Sequence, residues 1–152
     1  MKNSSDYPFD GTRPAQVVLD DFYDTVEDTM RLSTTSFPTW NRQTEDGVRQ
    51  VTCSVSPDVS GQFFSITLRG GAVSDPVGVA DAVQEEWKSR GWQLGPRFED
   101  AQGAIPGVQI SGVSPTGMDV VVRPSSVSTR ISIESDCTAD PAASVRPTPS
   151  SP

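Results

Sequence analysis

Reactive side chains are scarce in this sequence, which has no histidine and two lysines. Without histidine, neither a Ser-His-Asp nor a Cys-His nucleophile can form, and His-containing zinc, di-iron and haem sites are excluded. A Ser-Lys nucleophile would need Lys2 or Lys88, and neither lies in an S-x-x-K motif. The glycines match neither a P-loop nor G-x-G-x-x-G. The sequence therefore predicts a non-enzymatic protein that needs no cofactor and no metal.

Carboxylates are the abundant reactive groups, and several are close neighbours in sequence. They are Asp20, Asp24, Glu27 and Asp28, then Glu85 and Glu86, then Glu99 and Asp100. Helical spacing would bring three of the first group within reach of one cation. Two carboxylates on opposite sides of a cleft could instead catalyse the hydrolysis of glycans. A carboxylate-dependent hydrolase acting on glycans is therefore one alternative to a binding domain, and a purely structural domain is another. We favour the interpretation in which these carboxylates lie on exposed surfaces and are hydrated.

The long segment 34–47 holds the candidate binding residues Phe37, Trp40 and Arg42. It has no hydrophobic period, which predicts a loop, and aromatic residues beside arginine are typical contact anchors for proteins or sugars. The competing interpretation is that the loop folds down and covers the edge of the core. A contact role predicts exposed side chains, whereas a covering role predicts buried ones.

The two cysteines favour a disulfide. Cys53 has the same strand parity as Val51 and Val55, and Cys137 continues the parity of Ile131 and Ile133, so both side chains are expected to face one layer. A bond between them would close a loop of about 85 residues, and disulfides persist in oxidising compartments. The alternative is two buried free thiols. The pair indicates an extracytoplasmic protein, at the cell surface or secreted.

Charge narrows the range of partners. The 152 residues carry a formal charge of −8, with 12 basic residues scattered singly, so a nucleic-acid partner is not expected. No apolar stretch reaches the length of a membrane span. We expect a monomer whose partner is a protein or a cell-wall component, bound through the loop 37–42 or the outer face of the sheet.

Hydrophobic periodicity predicts an α+β fold, a mostly antiparallel sheet of five to six strands with two helices packed on one face. The predicted order is α-β-β-α-β-β-β, and the other face of the sheet should be polar and hydrated. The buried stripe of the first helix is Ala15, Val18, Leu19, Phe22, Val26 and Met30. Asp75-Pro76 starts the second helix and Gly91 ends it, with Trp92 or Leu94 folding back on the last turn.

Alternation of apolar residues locates the strands at 48–55, 62–69, 108–113, 118–123 and 127–135, with a short one near 97–100. The first two form a hairpin with a turn at 57–61. The predicted inward residues of the last three are Val108, Ile110, Met118, Val120, Val122, Val127, Thr129, Ile131 and Ile133. Composition predicts a flexible segment 1–13, a single domain 14–138 and a disordered Pro/Ser-rich tail 139–152.

A strand with the sequence VRQVTCSV, a helix with Trp87, Gly91 and Trp92, and a meander closing on ISIESDCT resemble small actinobacterial lipoproteins of the LppA-like group. The resemblance covers about residues 15–138. It implies a domain outside the cytoplasmic membrane, anchored by a lipid on a cysteine that follows a signal peptide. This sequence lacks that cysteine, and Met1 could stand where it was. The group supplies no activity or site residues to transfer.

Overall fold

Two helices and seven strands make up the described part of the chain, residues 11–42, 47–100 and 107–144 of a computed structural model. They are α1 Ala15–Leu32, β1 Arg49–Ser56, β2 Val59–Gly70, α2 Pro76–Ser89, β3 Gln93–Leu94, β4 Phe98–Asp100, β5 Gly107–Val113, β6 Asp119–Arg123 and β7 Thr129–Glu134. The predicted α+β class is confirmed. The structure has one strand more than predicted, because β3 has two residues and is too short to show alternation.

The sheet is antiparallel, in the order β1-β2-β7-β6-β5-β3, and β4 also pairs with β5. The last strand therefore lies in the middle, between the first hairpin and the β5–β6 hairpin. The β1–β2 turn is tighter than predicted, since Ser56 pairs with Val59 and leaves a two-residue loop. Strand β7 begins at Thr129 rather than 127, because the Ser125 hydroxyl accepts hydrogen bonds from the amides of Val127 and Ser128.

Both helices pack on one face of the sheet and share one hydrophobic core. Val18, Leu19 and Phe22 of α1 are fully buried there with Trp87 of α2. The predicted inward strand residues are buried except Val127, which is 61% exposed. Gly112 lets α2 approach closely, because a Cβ at that position would lie 2.8 Å from the Trp87 ring. The prediction that both helices pack on one face of the sheet is therefore confirmed.

Local sequence signals set the ends of α2. The Asp75 carboxylate accepts a hydrogen bond from the Gly78 amide at 3.0 Å, and Pro76 opens the helix. Gly91 has φ +79°, the left-handed conformation that closes a helix. Trp92 then stacks on Trp87, with ring centroids 4.9 Å apart. Each of these features was predicted, with Leu94 as the other candidate for the stacking partner.

The N-terminus of α1 is capped from the far end of the chain. Pro14 stands at the N-cap position and makes no side-chain cap. The Asp140 carboxylate instead accepts a hydrogen bond from the Ala15 amide at 2.7 Å and another from the Ala142 amide. These two hydrogen bonds lower the pKa of Asp140.

The chain stays packed beyond the expected domain limits of 14 and 138. The Gly11 carbonyl accepts a hydrogen bond from the Ala139 amide at 3.0 Å, and Ala143, within a short 3-10 helix Pro141–Ser144, is fully buried. The rest of the expected flexible segment 1–13 and tail 139–152, residues 1–10 and 145–152, lies outside the described residues. So do residues 43–46 of the long loop.

Cys53 and Cys137 form the predicted disulfide, with Cα atoms 6.1 Å apart. Its layer differs from the prediction. Cys53 pairs opposite Gly61, and with Phe63 it belongs to a small cluster on the sheet face that points away from the helices. This end of the outer face is therefore apolar, whereas the whole face was expected to be polar.

An extra residue after β7 explains the wrong side predicted for Cys137. Ser65 pairs with Glu134 and Gln62 pairs with Thr138, so three steps on β2 correspond to four on the partner segment. Such a bulge reverses which face the following side chains point to. The Cys137 side chain therefore points to the sheet face away from Ile131 and Ile133, which is the face that carries Cys53.

Removing the cross-link tests its contribution to stability. The double substitution Cys53→Ser with Cys137→Ser frees two residues that are 84 positions apart. The free energy of unfolding should fall by about 4 kcal/mol, because the unfolded chain gains entropy. Urea titrations of the oxidised protein, the double variant and the protein in reductant measure this change. The last two should agree, and equal midpoints for all three would contradict the expectation.

Removing the Asp140 carboxylate tests the cap on α1. Asp140→Ala should lower the urea midpoint at pH 7, because the Ala15 amide loses its acceptor. The lowered pKa means that the cap stabilises the protein above the ordinary aspartate pKa, and that its contribution is lost as the pH falls through the folded-state value. The gap between the two proteins should therefore close in acid. Asp140→Asn keeps a neutral acceptor and should lose less; a pH-independent gap for Asp140→Ala would contradict this.

Candidate functional site

The candidate loop residues occupy two places: Phe37 lies in the core beside the end of β2, and Trp40 and Arg42 lie against α1. Phe37 is 4% exposed and belongs to the main core. Trp40 packs on Tyr23, with ring centroids 5.5 Å apart, and its indole nitrogen donates to the Glu27 carboxylate at 3.2 Å. The loop therefore folds down onto the helix, as in the covering interpretation.

Arg42 fixes the end of this loop. Its guanidinium donates to Asp24 at 3.0 Å and to Glu27 at 2.9 Å, and its central carbon lies 5.4 Å from the centre of the Tyr23 ring. Burial acts to lower the pKa of Arg42, but the hydrogen bonds to the two carboxylates outweigh it and raise the pKa. With a side chain 9% exposed, Arg42 holds the loop to α1. Binding of a partner by Phe37, Trp40 and Arg42 stays a prediction.

A cleft of about 380 Å³ separates α1 and α2 from the β5–β6 turn. Its residues are Asp21, Asp24, Thr25, Asp28, Arg90, Trp92, Ser114, Pro115 and Thr116. Each of its carboxylates pairs with an arginine: Asp21 with Arg13, Asp24 with Arg42, and Asp28 with Arg31 and Arg90.

Arginine pairing works against acid catalysis in this cleft. A glycosidase needs two carboxyl groups that act on the substrate across a cleft, whereas each carboxylate of this cleft is engaged by a guanidinium group. Within residues 11–42, 47–100 and 107–144, no group of three or more His, Cys, Asp or Glu side chains could hold a metal ion. The cleft geometry therefore gives the glycan hydrolase no specific support.

A second concavity, of about 240 Å³, lies on the outer face of the sheet at one end of β2, β7 and β6. Arg130 pairs directly opposite Arg69 on one side and Arg123 on the other. Both neighbours of Arg130 in the chain, Thr129 and Ile131, are fully buried, so the arginine points away from the helices. Ser125, Val127 and Ser128 line the same concavity. We call Arg69, Arg123 and Arg130 the arginine row.

The arginine row has no acidic partner in the described part of the chain. The ion pairs there are made by Arg13, Arg31, Arg42, Arg90 and Arg97. The next outward positions along the strands are neutral, with the Thr67 hydroxyl 3.2 Å from that of Ser132. The row is thus a concentrated positive patch on an acidic protein.

The sequence alone does not predict the arginine row, because its members are far apart in the chain and look like scattered single charges. Each occupies an outward position in a predicted strand, and Arg69 and Arg123 are the last residues of theirs, which is the signal that the sequence offers. Pairing of residues 69 and 130 across the sheet was the missing information, since it joins strands that are not consecutive in sequence.

Comparison with known proteins adds one structural likeness. No family model matches the chain, and no curated protein matches it significantly. The crystal structure of a DUF4853 family protein from Actinomyces odontolyticus ATCC 17982 is similar, with a TM-score of 0.55 and 16% identity. The fold is shared with an actinobacterial protein.

The likeness covers 95% of this chain and 81% of that one, and at this identity it shows the fold alone. It gives no support to a relationship with LppA-like lipoproteins and indicates no enzymatic activity. No helix in the described ranges is both long and apolar enough to cross a membrane.

Substitution of Arg42 tests its role in holding the loop. Arg42→Ala should lower the free energy of unfolding by about 2 kcal/mol, because two charge-assisted hydrogen bonds and the contact with Tyr23 are lost. Arg31→Ala is the matched control: its side chain is 66% exposed and pairs with Asp28, so the loss should stay under about 1 kcal/mol. Urea titrations of both variants measure the difference. Equal losses would show that Arg42 is not a structural anchor.

Proposed function

We propose that this protein is a non-enzymatic cell-envelope domain, located outside the cytoplasm, that binds a protein or cell-wall component through the outer face of its sheet. It is either secreted or attached to the membrane by an N-terminal lipid, as the resemblance to LppA-like lipoproteins implies. In this proposal the helices and the covered side of the sheet support the fold, and the uncovered side makes the contact.

The disulfide supports the location. Cys53 and Cys137 are bonded, and disulfides of this structural kind are rare in reducing cytoplasm. The bond joins the edge strand β1 to the segment that follows the central strand β7, and its loss would free a long stretch of chain. In a reducing compartment the two thiols would stay separate, and the protein would lose the restraint that the disulfide provides.

The arginine row is the observation that carries the binding role. Like charges placed directly opposite each other across strands destabilise a sheet, and Arg130 faces two such neighbours. Five of the six other arginines in the described ranges pair with carboxylates, including Arg42 with Asp24 and Glu27, and Arg49 is the exception. A negatively charged partner would explain why the three arginines lie together on the uncovered face, because it would neutralise their mutual repulsion.

Charge reversal on each side of the molecule tests this proposal. Wild-type protein should sediment with cell-wall fragments or membranes from an actinobacterium, and Arg130→Glu should stay in the supernatant. Arg31→Glu makes the same charge change on an exposed residue of α1 and should sediment like the wild type. Thermal melts establish that both variants are folded.

Two results would contradict the proposal. If the wild type sediments with neither preparation, the domain does not bind these envelope components and a purely structural role takes its place. If Arg130→Glu sediments as well as Arg31→Glu, the contact surface lies away from the arginine row.

A further inference from the structure

We propose that the arginine row is a binding site for a dianionic phosphate group, with phosphate monoesters as the ligand class. The inference rests on the proposed function and deepens it, since it states which chemical group of the envelope component the sheet recognises. It concerns a site that the loop residues and the acidic cleft do not touch.

Geometry lets the three guanidinium groups reach one ligand. Arg130 is the central member, and directly opposed residues on neighbouring strands have Cβ atoms about 5 Å apart, so Arg69 and Arg123 flank it at equal spacing. All three line a single concavity of about 240 Å³. Their long side chains can therefore converge on a ligand that is smaller than the span of the three strands.

The electrostatic surroundings leave the site open for an anion. No described carboxylate pairs with any member of the row. Asp119 and Glu134, which face each other on the same ladder, are four residues along their strands from Arg123 and Arg130. That separation is about 13 Å at the rise of a strand, which exceeds the Debye length at physiological salt.

The number of charges favours phosphate over carboxylate. A phosphate monoester carries a charge of about −1.5 to −2 near neutral pH and offers three strong acceptor oxygens. Three guanidinium groups can donate to all three oxygens, in pairs because each group is planar, and a dianion neutralises most of their charge. A carboxylate, with one charge and two oxygens, would neutralise less of the row and accept fewer of its hydrogen bonds.

The other walls of the concavity fit an ester better than free phosphate. Ser128 lines the concavity beside the row, and Val127, 61% exposed, provides an apolar side. An organic substituent on the phosphate would cover Val127 and remove its apolar surface from water. A monoester with an apolar substituent should therefore bind more tightly than inorganic phosphate.

Titration followed by nuclear magnetic resonance tests the site. The arginine Nε–H signals of the full chain are recorded at physiological salt while inorganic phosphate or phenyl phosphate is added. Signals of Arg69, Arg123 and Arg130 should shift together, and phenyl phosphate should saturate them at the lower concentration. Binding should strengthen as the pH rises from 5 to 7, because the second ionisation of a phosphate monoester has a pKa near 6.

Matched variants separate a discrete site from general charge attraction. Arg130→Gln should raise the dissociation constant at least about tenfold, since a charge-assisted interaction is lost. Arg49→Gln removes the same charge from an exposed residue of β1 that pairs with Ser65, and it should change the constant less than about twofold because salt screens it. Without ligand, Arg130→Gln should melt no lower than the wild type, since removing the central charge relieves repulsion.

Vesicles with phosphatidic acid distinguish a lipid phosphate from a soluble one. Binding to these vesicles that phenyl phosphate displaces supports the site and identifies a lipid headgroup as one source. Vesicle binding without any effect of soluble phosphates would overturn the proposal, because it indicates attraction to a charged surface. Absent shifts in the row, or equal weakening by Arg49→Gln, would overturn it too.

The two proposals can fail separately. Phosphate binding by a protein that sediments with no envelope preparation would reject the proposed function and keep the phosphate site. Sedimentation that depends on Arg130 but is indifferent to phosphate esters would reject the phosphate site and keep the binding face.

Discussion

The pairing of β7 with β2 is the interaction on which the rest of the structure depends. It joins the first hairpin to the β5–β6 hairpin, and an isolated two-stranded hairpin is marginally stable in water. Six residue pairs form the β2–β7 ladder, from Ser65 with Glu134 to Gly70 with Thr129. The ladder requires residues about 65 positions apart to meet, so its formation costs loop-closure entropy that the disulfide at its far end reduces.

Features at both ends of this ladder follow from its register. At one end, the bulge between Glu134 and Thr138 turns Cys137 to the outer face, where Cys53 lies. The chain then runs on to Asp140, which caps α1. At the other end, Arg69 and Arg130 are placed side by side. One register therefore determines the position of the disulfide, the helix cap and the arginine row.

Features set by neighbouring residues could be predicted from the sequence. The start of α2 at Asp75-Pro76 and its closure by Gly91 and Trp92 depend on contacts within a few residues, and both are confirmed. The disulfide partners were predicted, but the face was not, because one extra residue after Glu134 reverses parity and leaves no mark in the pattern of alternation. The burial of Arg42 depends on Asp24 and Glu27 of α1, and Phe37 packs at the end of β2, so the choice between the contact and covering interpretations needed contacts with distant parts of the chain.

The arginine row could not be predicted for two reasons. Its members are far apart in the sequence, and they meet only because of the register between the strands. In the unliganded sheet, Arg130 repels two neighbours, and the ladder that stabilises the fold enforces that repulsion. A bound dianion would turn the repulsion into attraction at three positions. Because the unfolded chain cannot assemble the row, such a ligand would bind the folded protein alone and raise its stability. Occupation of the site and stability of the β2–β7 ladder are therefore coupled, and the coupling acts at the centre of the sheet.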